Sequence, residues 1–120
     1  MKHFIDISNF GLKKLDSIIE KAKQIKSNPK KFSNKCKNKT LGMIFQKDST
    51  RTRASFTVGF QKLGGNTIEL NSKSIGFGKR ESIEDILRTL AQFIDVLVIR
   101  NDDHEILNKL SSLNALPIIN

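Results

Sequence analysis

The sequence predicts an α/β fold, a parallel sheet of about four strands covered by helices in the Rossmann-like manner. Three observations lead there. Short apolar runs at residues 40–45, 95–99 and 116–119 are bounded by turn residues, and their lack of polar alternation suits strands buried on both faces. Segments with apolar residues at helical spacing separate them. Helix and strand therefore alternate along the chain, an order that parallel pairing with crossover helices produces.

The elements follow in order. Leu12, Leu15, Ile18, Ile19, Ala22 and Ile25 recur at helical spacing with lysines between them, predicting an amphipathic helix of about four turns. Ser27-Asn28-Pro29 stops it, and residues 29–39 read as a polar, mobile loop. The first strand, 40–45, leads through residues 46–51 into a helix opening near Thr52, whose Phe56, Gly59, Phe60 and Leu63 share one face. Gly59 on that face is expected to let the helix approach the sheet, and Gly64-Gly65 ends it. Residues 66–70 predict the second strand and 71–79 a polar loop. Ser82 with Asp85 resembles a helix-opening capping pair, and Ile83, Ile86, Leu87, Leu90 and Ile94 give a buried stripe. The third strand ends at Arg100. Asp102 or Asp103 caps a fourth helix carrying Ile106, Leu107, Leu110 and Leu113, and residues 116–119 form the last strand. No internal repeat is evident.

With 120 residues, 38% hydrophobic and 28% charged, the chain is long enough for one domain with a real core. No apolar run approaches the roughly 18 residues of a membrane span. Met1-Lys2-His3-Phe4 is not followed by an apolar signal-peptide core, so a cytoplasmic protein is expected. The single cysteine, Cys36, excludes an internal disulfide framework and reads as a solvent-exposed bystander. A net charge of +9 invites a nucleic-acid partner, but eight of the lysines lie between Lys21 and Lys39 among Ser, Asn and Pro. Without interleaved stacking aromatics, that run describes a solvated surface. His3 and His104 lack metal-ligand neighbours, and Glu81, Glu84, Asp85 and Arg88 read as the solvent face of their helix.

Chemistry concentrates at one strand-to-helix junction. Ser49-Thr50-Arg51-Thr52-Arg53 packs three hydroxyls and two guanidiniums into five residues. Backbone N–H groups at a helix start, the helix dipole and the arginine fork all favour an anion there, and a phosphate most simply. In a parallel sheet the residues after strands one and three leave by the same edge, so Arg100 is expected beside this loop. Position alone leaves Arg100 equally open to a strand-end role. The glycine-containing loop at residues 74–79 lacks the dinucleotide fingerprint, and the nucleoside-triphosphate P-loop is absent. A small phosphorylated metabolite fits better than a nucleotide.

These residues resemble a known family. Ser49-Thr50-Arg51-Thr52-Arg53, preceded by Phe45 and followed by Ser55-Phe56, looks like the carbamoyl-phosphate signature of the aspartate and ornithine carbamoyltransferases. Leu63-Gly64-Gly65-Asn66, the segment 78–85, the run 95–100 and Leu116-Pro117-Ile118-Ile119-Asn120 fall in the family's order. The likeness covers nearly the whole chain. His3-Phe4-Ile5-Asp6, the helix 58–65 and the segment 79–85 favour the ornithine enzymes, with aspartate carbamoyltransferase as runner-up.

The resemblance implies an N-terminal carbamoyl-phosphate-binding domain over residues 1–120, incomplete at its C-terminus, with the amino-acid-binding domain absent. Such a chain is expected to be inactive alone. It implies that Ser49, Thr50, Arg51, Thr52 and Arg100 bind carbamoyl phosphate, and that Arg51, Thr52 and Arg100 act in catalysis. Arg53 falls to structure, bracing the loop. Ser74, Gly76 and Lys79 lie where the family passes a loop to a neighbouring subunit's site. No metal or organic cofactor is implied, because the substrate brings its own leaving group. The expected partners are carbamoyl phosphate, ornithine through a second domain, and two further copies in a homotrimer, with no nucleic acid and no membrane. The sequence departs from the family pattern at Gln46 and Thr57, commonly Glu, and at Gly76, where ornithine enzymes usually carry Gln.

Overall fold

The computed structural model describes residues 1–76 and 81–120. In order, the elements are α1 (Leu12–Ser27), a 3-10 turn (Pro29–Phe32), β1 (Thr40–Phe45), α2 (Thr50–Lys62), β2 (Asn66–Asn71), α3 (Ser72–Ile75), α4 (Ile83–Leu90), β3 (Val96–Arg100), α5 (His104–Ser112) and β4 (Ile118–Ile119). Every strand pair is parallel, in the order β2-β1-β3-β4. The predicted α/β class and parallel sheet are therefore observed.

Pleating decides what each strand offers to each face, because alternate side chains point to opposite sides. Leu41, Met43 and Phe45 of β1 and Val98 of β3 form one cluster, against which Phe56 and Phe60 of α2 pack. Ile44, Leu97 and Ile99 point the other way and meet Ile83 and Leu87 of α4 and Leu107 and Leu110 of α5. Leu97, Leu107, Leu110 and Ile118 are wholly removed from solvent, each contributing about 1.5–3 kcal/mol relative to exposure. Most of the core thus lies on the α4 and α5 side of the sheet.

Local chemistry explains the helix boundaries. The Ser82 hydroxyl accepts from the Asp85 N–H, as the capping pair predicts. Of the two candidate aspartates before α5, Asp103 is the cap, accepting from the Glu105 and Ile106 N–H groups. Arg88 pairs with Glu84 at 2.8 Å one turn away, on an exposed surface. Tight contact falls to other glycines than Gly59, which is exposed with no neighbour within 4 Å of where a Cβ would sit. A Cβ at Gly42 would lie 2.5 Å from Ile94 Cδ1, and one at Gly65 would enter the Phe60 ring.

Four further expectations are corrected. The lysine-rich stretch 29–39 is ordered, because Phe32 is buried within its 3-10 turn and the Cys36 N–H donates to Leu63 O at 2.8 Å. Cys36 itself is half-buried, and that burial pushes its thiol pKa up. The loop 71–79 contains the one-turn helix α3, whose cap is the Asn71 side chain accepting from the Lys73 N–H. His3, expected at the surface, is half-buried, and its Nδ1 accepts from the Ile118 N–H at 3.2 Å. No helix among the described residues is long and apolar enough to cross a membrane.

Candidate functional site

Strand parity builds this site. In β3, Val98 faces α2, so Arg100 two residues later faces the same side, in register with Phe45 at the end of β1. Phe45 is followed by the loop that enters α2. Arg100 therefore emerges beside the start of α2, and its Nη1 donates to Ser49 Oγ at 2.8 Å. The expected meeting of Arg100 with the loop is found.

Ser49 occupies the N-cap position of α2, where a serine ordinarily accepts a hydrogen bond from a first-turn N–H. Here it makes no such bond. Its buried hydroxyl accepts from Arg100 instead. The first intrahelical bond of α2 runs from the Arg53 N–H to Ser49 O at 2.8 Å, so the N–H groups before it have no place in the helix ladder. Among the described residues no side chain caps them. Donors at a dipole's positive end, left uncapped, are suited to hold an anion. The Arg51 side chain is exposed and Thr52 is half-buried beside them, while Thr50 faces solvent.

The rim of this helix start is tied across the sheet edge. The Gln46 N–H donates to Arg100 O at 3.3 Å, and Lys47 Nζ lies 2.7 Å from Asp102 Oδ2. The Lys47 hydrogen bond and charge, with Arg100 adding to them, hold the Asp102 carboxyl below the usual carboxylate range. These contacts join the β1–α2 loop to the β3–α5 loop. A cavity of about 500 Å³ opens at the same edge, with Gln46, Lys73, Gly76, Arg100 and Asn101 in its walls.

Two of the other sequence candidates belong to α3. Gly76 ends α3 in the left-handed conformation, with φ 54°, and Ser74 lies within α3. Lys79 is outside the described residues. Thr57 Oγ1 donates weakly to Met43 Sδ at 3.8 Å, a packing contact rather than a site contact. Sequence reading missed the Lys47–Asp102 tie, whose only signal was the placement of opposite charges after strands one and three. No group of three or more metal-ligating side chains occurs among the described residues.

Comparison with known proteins places this geometry. Residues 2–120 match the family described as aspartate/ornithine carbamoyltransferase, carbamoyl-P binding domain. The chain is 39% identical to an ornithine carbamoyltransferase of Brucella ovis over 122 aligned residues, covering 100% of this chain and 39% of that protein. The solved ornithine carbamoyltransferase of Pyrococcus furiosus superposes with a TM-score of 0.91 at 33% identity, over 99% of this chain and 39% of that one. The anabolic enzyme of Campylobacter jejuni subsp. jejuni gives a TM-score of 0.90 at 32% identity, over 100% and 39%. The chain spans about 39% of the length of these relatives. On the family match over nearly its whole length, this chain belongs to the aspartate/ornithine carbamoyltransferases, within their carbamoyl-phosphate-binding domain.

Proposed function

We propose that this chain supplies the carbamoyl-phosphate site of an ornithine carbamoyltransferase, a cytoplasmic enzyme of arginine metabolism. The reaction moves the carbamoyl group to the side-chain amine of ornithine. The amine nitrogen attacks the carbamoyl carbon and loses a proton, the carbon–oxygen bond to phosphate breaks, and citrulline and phosphate result.

The observation that carries this reading is the capping serine that does not cap. Ser49 turned toward Arg100 leaves the start of α2 open to a phosphate. In this assignment Ser49, Thr50, Arg51 and Thr52 hold the phosphate, with Arg51 neutralising it as it departs. Thr52 and Arg100 approach the carbamoyl oxygen, where negative charge grows during attack. Donors placed where charge develops stabilise the transition state, and loss of one commonly costs on the order of 10²-fold in rate. In this assignment ornithine is bound by a second domain, and in a homotrimer Ser74, Gly76 and Lys79 serve a neighbouring subunit's site.

Calorimetric titration with carbamoyl phosphate tests the donor site. Native chain is expected to bind, and Arg51→Ala to bind at least about tenfold more weakly, the value of a charge-assisted contact. Equal affinity in the two overturns the loop assignment. Co-expression with a separate second-domain polypeptide tests the reaction, because citrulline formation in the mixture separates a catalytic half from a binding module.

A further inference from the structure

We propose that Glu69 on the edge strand β2 is a positioning residue for the anion loop. It holds Arg53, and through Arg53 it fixes the first turn of α2 so that Arg51 and Thr52 meet a phosphate together. This rests on the phosphate reading of residues 49–52.

Register places Glu69 opposite Met43 and therefore on the α2 face of the sheet. Arg53 reaches it from the first turn of α2. Its backbone N–H closes that turn on Ser49 O, while its side chain leads toward the sheet. The guanidinium carbon lies 5.7 Å from the centroid of the Phe45 ring, Nε lies 2.8 Å from Glu69 Oε1, and Nη1 lies 3.5 Å from Asp48 Oδ1. The Nε–H is not aligned with Glu69, so the contact is an ion pair rather than a hydrogen bond. One side chain thus links the loop, the end of β1 and β2.

Two physical features make that link consequential. No residue of α2 is buried, so deep packing does not set the orientation of its first turn. A cation there is also opposed by the helix dipole and by the neighbouring Arg51. Glu69 offsets that opposition and keeps Arg53 turned to the sheet.

The sign of one substitution separates positioning from simple charge. A carboxylate near an anion site repels the anion, so through-space electrostatics makes Glu69→Gln bind phosphate more tightly. Positioning makes it bind more weakly. Titrating the full 120-residue chain with inorganic phosphate at low salt, we expect Glu69→Gln to lose about threefold in affinity, the scale of a partly exposed ion pair. Glu69→Asp recovers most of that loss, and in an Arg53→Gln background Glu69→Gln changes nothing further. Tighter or equal binding by Glu69→Gln, or an undiminished loss without Arg53, overturns the proposal. The phosphate reading fails separately, if Arg51→Ala binds as well as native chain. Amide exchange without ligand gives a second measurement: Glu69→Gln speeds exchange of the Arg53 N–H severalfold and leaves α5 unchanged, whereas an unaltered Arg53 rate overturns the proposal.

Discussion

α2 and α5 begin at the same edge of one sheet, each shortly after a central strand, yet their first turns are finished differently. At α5 the Asp103 carboxylate accepts from two first-turn N–H groups, and Leu107 and Leu110 anchor the helix in the core. At α2 the equivalent serine faces away toward Arg100, and no residue of the helix is buried. The first start is complete without a ligand. The second leaves donors unclaimed and is steered by polar contacts with its neighbours. Position at the carboxyl edge is thus insufficient to make a site, and the state of the cap decides which helix start can receive an anion.

Core truncation should show the largest contrast between the two helices. Leu107→Ala in α5 is expected to cost about 2–5 kcal/mol in denaturant unfolding, whereas Val58→Ala, on the exposed side of α2, stays within about 0.5 kcal/mol. Similar losses at both would break the distinction. The caps give the next effect. Asp103→Ala should cost about 1 kcal/mol, while Ser49→Ala, which removes no cap, should lower stability less and weaken carbamoyl-phosphate binding about tenfold.

The smallest effect concerns the link between the two starts. Asp102 has its pKa depressed in the folded state by Lys47 and Arg100, so its stabilisation is present above the ordinary carboxylate pKa near 4. It is lost as pH falls through the depressed value. Asp102→Asn should therefore melt slightly below native chain at pH 7 and coincide with it in strong acid. A difference that grows on acidification would contradict the Lys47–Asp102 tie.

Much of this arrangement was legible before the structure because it depends on local pattern. The apolar run 95–99 identified β3 as central, Ser82 announced its own cap, and parallel order alone brought Arg100 to the loop. The misses arose where distant parts meet. Helical spacing put Gly59 on an apolar face, but close packing falls to Gly42 and Gly65, whose neighbours Ile94 and Phe60 depend on how elements are stacked. Phe32 was hidden in a lysine-rich stretch, although a lone aromatic there was a sign that the segment returns to the core. Glu69 carried no motif, and only the register with Met43 shows which face it serves. The helical spacing of α1 was read correctly, yet Leu12, Ile18 and Ile19 are exposed, because periodicity identifies a face without saying what covers it.

The pairing of Phe4 with residues 118–120 carries a consequence for biosynthesis. Phe4 bridges to Ile119, the Asn120 N–H donates to Phe4 O at 2.8 Å, and the Phe4 N–H donates to Ile118 O at 2.8 Å. Residues around position 4 must wait for partners more than a hundred positions later to leave the ribosome. Contacts of such separation form slowly. The seam beside β4 is thus available for closure only after the loop between β1 and α2 has emerged, so the nascent chain can form that junction before the seam is sealed.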